Sequence, residues 1–408
     1  MAPLCLERAG AVPLAVDISV PDIKNSENFA NSLLPHTSRV GHLCLTGFSS
    51  IDTVTNDLPG FFDAPMPNIF SLELQQTEEP VGLFLSAEAP APPVFQNISR
   101  LKSLSLTRTP LHPTLFSTPS LRELKLLGYT SPFDFGTLMG FLRFNISLES
   151  LVLDVRFDAN SVEAALGGPK VPLTRLRDIS ITCSKAIDSR GLLSCISLPH
   201  GIRLEVTSTL ADPSAELRWF LPSPLTPLLG SLGAITTAKS QVTPQELRMV
   251  GNSSTFTFRS TKISTKHAES GFTLFPIAEV RELHMDIQPF QFTDKGIITV
   301  LRALPALEIL AISRTPFPSG LLSGLSAEPV LCPTLKTIAF LDCGVDAAVI
   351  KRLEEAIAKR KNNTGAQLFR VTIVSSAKTL PDFASIQELR KSVPCVEVRV
   401  DDKFPDLT

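Results

Sequence analysis

The chain of 408 residues holds one Trp and one Tyr against 25 Phe. That scarcity removes the aromatic base-stacking platform that single-stranded nucleic acids require. Charge is low as well: Lys and Arg number 38, Asp and Glu 40, and the formal net charge is -2. With a sequence pI near 6.3, no overall basic field favours nucleic acid or an anionic membrane. Seven cysteines occur, an odd number at wide spacing and without a C-x-x-C pair, which is the pattern of buried free thiols in a reducing compartment. The opening residues carry no charged segment followed by an apolar run, so the expectation is an intracellular protein, cytoplasmic or nuclear. The one long uncharged stretch, Trp219 to Ala238, is interrupted by Pro222, Pro224 and Pro227 and reads as a surface loop rather than a membrane helix.

Catalytic signatures are missing too. There is no G-x-S-x-G, H-E-x-x-H, Walker loop or dinucleotide G-x-G-x-x-G. The six histidines, His36, His42, His112, His200, His267 and His284, are scattered. Glu354 and Glu355 are neighbours on a helix pattern, and adjacent helical side chains diverge too far to act as an acid/base pair. Cys332 stands in an apolar phrase with nothing nearby to lower its pKa. The reading is no enzyme, no cofactor and no metal.

What the chain does have is repetition. Leu101, Leu104 and Leu106 form an L-x-x-L-x-L phrase that returns at Leu121, Leu124 and Leu126, and again at Leu148, Leu151 and Leu153. This is the strand phrase of a leucine-rich repeat. Its last two positions alternate as a half-buried strand does, placing Leu124 and Leu126 inside and Lys125 outside. Earlier copies lie at Val40, Leu43, Leu45 and at Ile69, Leu72, Leu74. Later ones lie at Leu176, Ile179, Ile181, more weakly at Ile202, Leu204, Val206, then at Val280, Leu283, Met285, at Leu307, Leu310, Ile312 and at Leu335, Ile338, Phe340. Pro13 to Val20 alternates as an entry strand, Ser26 to Leu34 carries a helical pattern, and irregular strands are expected at Leu368 to Val374 and Cys395 to Val400. From Leu210 to Pro276 the pattern degrades, with candidate strands only at Leu247 to Val250 and Phe256 to Phe258.

Starts at 121, 148 and 176, and again at 280, 307 and 335, leave room for a helix after each strand. Asp134 to Phe144 forms one such helix. Thr293 or Asp294 caps another through Ile297, Val300, Leu301 and Leu304. Asp346 caps a third, which ends in Lys359-Arg360-Lys361 as the helix dipole favours. The fold class is therefore α/β: an irregular, horseshoe-like leucine-rich-repeat solenoid with a parallel inner sheet and helices on the outer face. One domain is expected over 1–408, with an entry segment at 1–39, irregular repeats or an insertion at 210–276 and a C-terminal cap at 364–408. The ninth phrase position, often Asn or Cys in such repeats, is Thr109, Tyr129, Arg156, Ser184, Gln288, Thr315 and Cys343. The buried Asn ladder of a regular horseshoe is thus expected to be absent.

Two stretches carry more than the generic phrase. Leu331 to Asn363 (LCPTLKTIAFLDCGVDAAVIKRLEEAIAKRKNN) resembles the terminal repeats of fungal F-box proteins with leucine-rich repeats. Leu6 to Val20 and Ser32 to Gly47 resemble the entry segment and first repeat of that family. The resemblance implies substrate recognition for a cullin-type ubiquitin ligase, whose transfer chemistry other subunits supply. An F-box would precede Leu6, and no position here matches it. No adaptor-binding residue is therefore carried over, and adaptor binding is expected only of a product bearing that module upstream. The alternative is a stand-alone or truncated leucine-rich-repeat scaffold without a ligase link.

The surface left for recognition is the outward side of the inner sheet, at Glu73, Ser105, Lys125, Val152, Ser180, His284, Ala311 and Ala339, flanked by Glu123, Asp154, Asp178, Glu282 and Asp286. The candidate protein-binding residues are Glu282, His284, Asp286, Ile309, Ala311 and Leu341, a polar rim beside an apolar patch on the most regular late repeats.

Overall fold

The computed structural model describes residues 10–20, 26–50, 58, 60–61, 64–78, 98–111, 118–209, 217–223, 225, 228, 237–242, 245–252, 254–260, 263, 271–272, 274–275, 277–286, 293–365, 367–375 and 383–400. The helical turn read at Leu4 to Gly10, the Pro-rich link from Ala87 to Phe95 and the ninth-position Gln288 fall wholly or almost wholly outside them. The chain is a mixed α/β protein whose strands are mostly parallel, and it divides into two compact units.

The first unit comprises residues 1–202 with 221–223. Its main strands are β1 (Leu14–Ser19), β2 (Val40–Phe48), β3 (Ser71–Gln76), β4 (Ser103–Thr107) and β5 (Glu123–Leu127). After the short β6 (Pro132–Phe133) come β7 (Ser150–Asp154), the short β8 (Arg156–Phe157) and β9 (Val171–Pro172), then β10 (Asp178–Cys183) and the short β11 (Ile196–Ser197). Each main strand pairs in parallel with the next, in the order β1-β2-β3-β4-β5-β7-β10. Its helices are α1 (Ser26–Leu33), α2 (Phe135–Phe144), α3 (Ala159–Ala165) and α4 (Ala186–Cys195), of which α2, α3 and α4 pack in succession.

The second unit comprises residues 203–220 with 224–408. It holds β12 (Arg203–Ser208), β13 (Thr237–Val242), β14 (Glu246–Val250), β15 (Thr255–Ser260), β16 (Glu282–Asp286), β17 (Ile309–Ser313), β18 (Thr337–Leu341), β19 (Arg370–Ser375) and β20 (Cys395–Val400). The helices α5 (Asp294–Arg302), α6 (Ser319–Leu325), α7 (Ala347–Thr364) and α8 (Phe383–Ser392) again pack in chain order.

Burial explains the phrase. Every apolar triplet named above, from Val40, Leu43, Leu45 to Leu335, Ile338, Phe340, is at most 2% exposed. The first member closes a turn before it enters the core. Thus the Leu101, Leu121, Leu148, Leu176, Leu307 and Leu335 N–H groups donate to the carbonyl three residues earlier. The strand then places the other two on the same side as the helices. The side chains they meet include Phe317 against Phe340, at a ring separation of 5.1 Å. The expected caps form: Asp134 accepts from Thr137 N, Thr293 from Gly296 N and Asp346 from Val349 N. At Gly320 the backbones of α5 and α6 nearly touch, because a Cβ there would stand 2.6 Å from the Asp294 backbone.

Two expectations need correction. The parallel sheet is interrupted in the second unit, where β14 runs antiparallel to both β13 and β15. This is a meander within the degraded stretch. Hairpin-linked strands need no crossover helix, so they have no use for the phrase. Strand β13 starts inside the segment read as a loop.

At the ninth position, where no Asn stands, other side chains bond to the neighbouring phrase. Arg108, Gly128, Arg314 and Asp342, all at the eighth position, adopt positive φ. That left-handed residue turns the ninth side chain inward. Thr109 Oγ1 then donates to Leu74 O at 3.3 Å, and Cys343 Sγ to Ile312 O at 3.2 Å. In both cases the acceptor is the sixth residue of the preceding phrase. Tyr129 adds its hydroxyl to Thr109 O.

The second correction concerns Arg360. It does not decorate a solvated basic helix end but is fully buried, donating to Leu331 O at 2.9 Å and Cys332 O at 2.6 Å. It supplies the bond to Leu331 O and a second one to Cys332 O, which also accepts from Leu335 N, and burial lowers its pKa.

Two stability predictions follow from this packing. Leu124→Ala should cost about 2–5 kcal/mol through cavity formation, whereas Lys125→Ala should stay within about 0.5 kcal/mol. Equal losses in chemical denaturation would reverse the assignment of faces. Arg360→Met should cost roughly 1–3 kcal/mol by removing the donor to Leu331 O, while Lys359→Met, next to it and exposed, should be close to neutral. Similar denaturation midpoints for the two variants would overturn the capping role.

Candidate protein-binding face

In the second unit the parallel register sets the outward side chains in rows. Glu282 lies beside Ile309 and Thr337, His284 beside Ala311 and Ala339, and Asp286 beside Ser313 and Leu341. All six candidate residues therefore share one face of three adjacent strands. Continuing outward, Thr372 follows Ala339 and Val374 follows Leu341.

The face is flatter and less charged than its residue types suggest. Ile309 is 36% exposed, whereas Ala311, a methyl group beside the taller His284, is only 5% exposed. His284 Nε2 stands 2.7 Å from Glu282 Oε1. Its Nδ1 is buried and has no hydrogen-bond partner among the described residues. Asp286 is engaged by Arg314, whose Nε donates to Asp286 Oδ1 at 3.1 Å. Arg314 was not foreseen on this face. It occupies the eighth, left-handed position of its phrase, so its side chain folds back over the neighbouring strand instead of following strand alternation.

The outward residues of the first unit form rows of the same kind. Glu73, Ser105, Lys125, Val152 and Ser180 stand in register across five strands. Hydroxyl groups dominate here. Ser103 donates to Glu123 Oε2 at 3.1 Å, and Ser71 Oγ lies 2.9 Å from His42 Nδ1. Cys44 also faces outward, but desolvation and the nearby Glu73 and Asp17 push its thiol up to about 11.

Charged side chains concentrate at the second phrase position, just before each strand. Arg122 pairs with Glu149 at 3.2 Å in the first unit. In the second, Lys336 pairs with Glu308 at 2.7 Å, and Arg281 stands 3.9 Å from it. Hydrogen bonding and charge from Lys336 hold the Glu308 carboxyl below its ordinary value.

Among the described residues, the buried cysteines are poorly suited to reaction. Burial pushes the thiols of Cys183 and Cys332 up to about 12 and that of Cys343 to about 11, against any role as thiolate nucleophiles. No group of three or more His, Cys, Asp or Glu side chains there could hold a metal ion, and no helix there is long and apolar enough to cross a membrane.

No family model matches the chain, and no curated protein matches it. Among solved structures, "Crystal structure of Rad7 and Elc1 complex in yeast" aligns over 97% of this chain and 91% of that chain. The identity is 16% and the TM-score 0.29, a likeness too low to carry an argument.

Proposed function

We propose that the chain is a leucine-rich-repeat solenoid that binds another protein through the outward side of its sheet, and that it performs no chemistry of its own. The observation that carries this reading is the shared register of Glu282, His284, Asp286, Ile309, Ala311 and Leu341. Their backbones are held by strand pairing on both sides, so little conformational freedom remains to be lost on binding. Ile309 and Leu341 offer apolar area, and the Glu282–His284 and Asp286–Arg314 pairs supply a polar rim. The finer version is F-box-type substrate recognition for a cullin-type ubiquitin ligase inside the cell, and it rests on the sequence resemblance at Leu331 to Asn363. Binding the ligase adaptor would need an F-box upstream. The second reading, a scaffold without a ligase link, uses the same face.

The test compares the wild-type chain with a His284→Ala, Ile309→Asp, Leu341→Asp triple variant in quantitative affinity capture from cell extract. These side chains lie on the outward face, so the variant should keep its thermal midpoint within a few degrees. It should lose its specific partners. A folded variant that retains every one of them would place recognition elsewhere.

A further inference from the structure

The first unit carries a cleft of about 450 Å3 lined by turns that lead into strands, including Arg122, Glu149, Thr174, Arg175, Arg177 and His200. Arg122, Glu149 and Arg177 are the second positions of three successive phrases. Backbone bonds hold them in line: Glu149 N donates to Arg122 O at 2.7 Å and Arg177 N to Glu149 O at 2.8 Å. Among the described residues, Glu149 is the only carboxylate lining the cleft, and it is already taken by Arg122 at 3.2 Å. The side chains of Arg175, Arg177 and His200 make no hydrogen bond or ion pair among the described residues, and all three are exposed. The Arg281–Glu308–Lys336 row of the second unit, by contrast, is paired. Here two guanidinium groups are left over and line the same concavity.

We propose that this cleft binds a phosphate monoester on a small polar carrier. Guanidinium forks match phosphate oxygens in pairs, and two of them with Arg122 at the rim balance a dianion better than a single carboxylate. His200 can add a ring N–H donor. The volume falls in the range of roughly 300–1,000 Å3 that small-molecule sites occupy. That exceeds what the phosphate alone would fill, so the ligand extends beyond it. The walls around the rest are polar, and Glu149 can accept from hydroxyl groups, which favours a sugar or polyol over an apolar body. The same phosphate chemistry could arrive on a phosphorylated serine side chain. The site does not depend on the reading of the outward face, and its test can fail while partner capture is unaffected.

Isothermal titration of the full chain would use glucose 6-phosphate, glucose, inorganic phosphate, and a glycine-flanked phosphoserine peptide with its unphosphorylated twin. Glucose 6-phosphate should bind saturably and glucose should not, with inorganic phosphate about tenfold weaker than the ester. An Arg175→Gln, Arg177→Gln double variant should weaken ester binding by about tenfold or more, at an unchanged unfolding midpoint. If the double variant fails to fold, Arg175→Gln alone is judged by the same loss. Tighter binding of the phosphoserine peptide than of the sugar phosphate, lost in the variant, keeps the phosphate site and overturns the small carrier. The site itself is overturned if no phosphate ester binds, if inorganic phosphate binds as tightly as both esters, or if the variants bind them undiminished.

Discussion

The structure depends on withdrawing three apolar side chains per repeat completely from water. Leu121, Leu124 and Leu126, each fully buried, show the constraint in its simplest form. Burying three such side chains contributes about 5–9 kcal/mol. Fixing the six residues of the phrase costs about 6–12 kcal/mol of backbone entropy. A single phrase is therefore close to balance and cannot stand alone. Neighbouring strands tip it, by covering the flanks of each leucine and pairing its backbone. This is why the phrases come in runs of neighbouring strands.

A second requirement follows from the first. A strand that must turn back after every phrase ends in buried carbonyls, and each needs a donor. The left-handed eighth residue and the inward ninth side chain provide one. Thr109 and Cys343 carry different donor atoms but reach the equivalent carbonyl of the preceding phrase. The protein keeps the bond and lets the residue vary. In the turn that leads into β18, the carbonyls of Leu331 and Cys332 are reached from α7, by Arg360.

These particulars explain how much could be read in advance. The triplets, the three capped helices and the shared face of Glu282, Ile309 and their neighbours follow from spacing alone, since period and register fix them. The meander of β13, β14 and β15 was only half legible. Phe256 and Phe258 mark a strand, but no local pattern shows that its partner β14 is antiparallel. Arg360 could not be told from Lys359 or Lys361 in sequence. A basic tripeptide at a helix end satisfies the dipole rule whichever way its members point, and only packing shows that one of the three points inward. Arg314 escaped notice because strand alternation does not extend through a left-handed residue.

The placement of charge separates two surfaces that sequence alone treats alike. On the sheet face of the second unit, Asp286 is engaged by Arg314, and Glu282 Oε1 stands within hydrogen-bond distance of His284. On the proposed reading, partner recognition there would draw on shape and the apolar Ile309 and Leu341, with the paired polar groups serving selectivity. The strand-entry edge follows a different rule. Opposite charges at successive second positions neutralise one another when they alternate, as Arg281, Glu308 and Lys336 do around one shared carboxylate. Glu149 likewise stands between Arg122 and Arg177, but its ion pair is with Arg122. With Arg175 adding a second cation from the turn before Leu176, the row cannot neutralise itself. Exposed guanidinium groups lose little by remaining hydrated, so the imbalance carries a small penalty for folding. It leaves positive charge in a concave site, where an incoming anion would meet it.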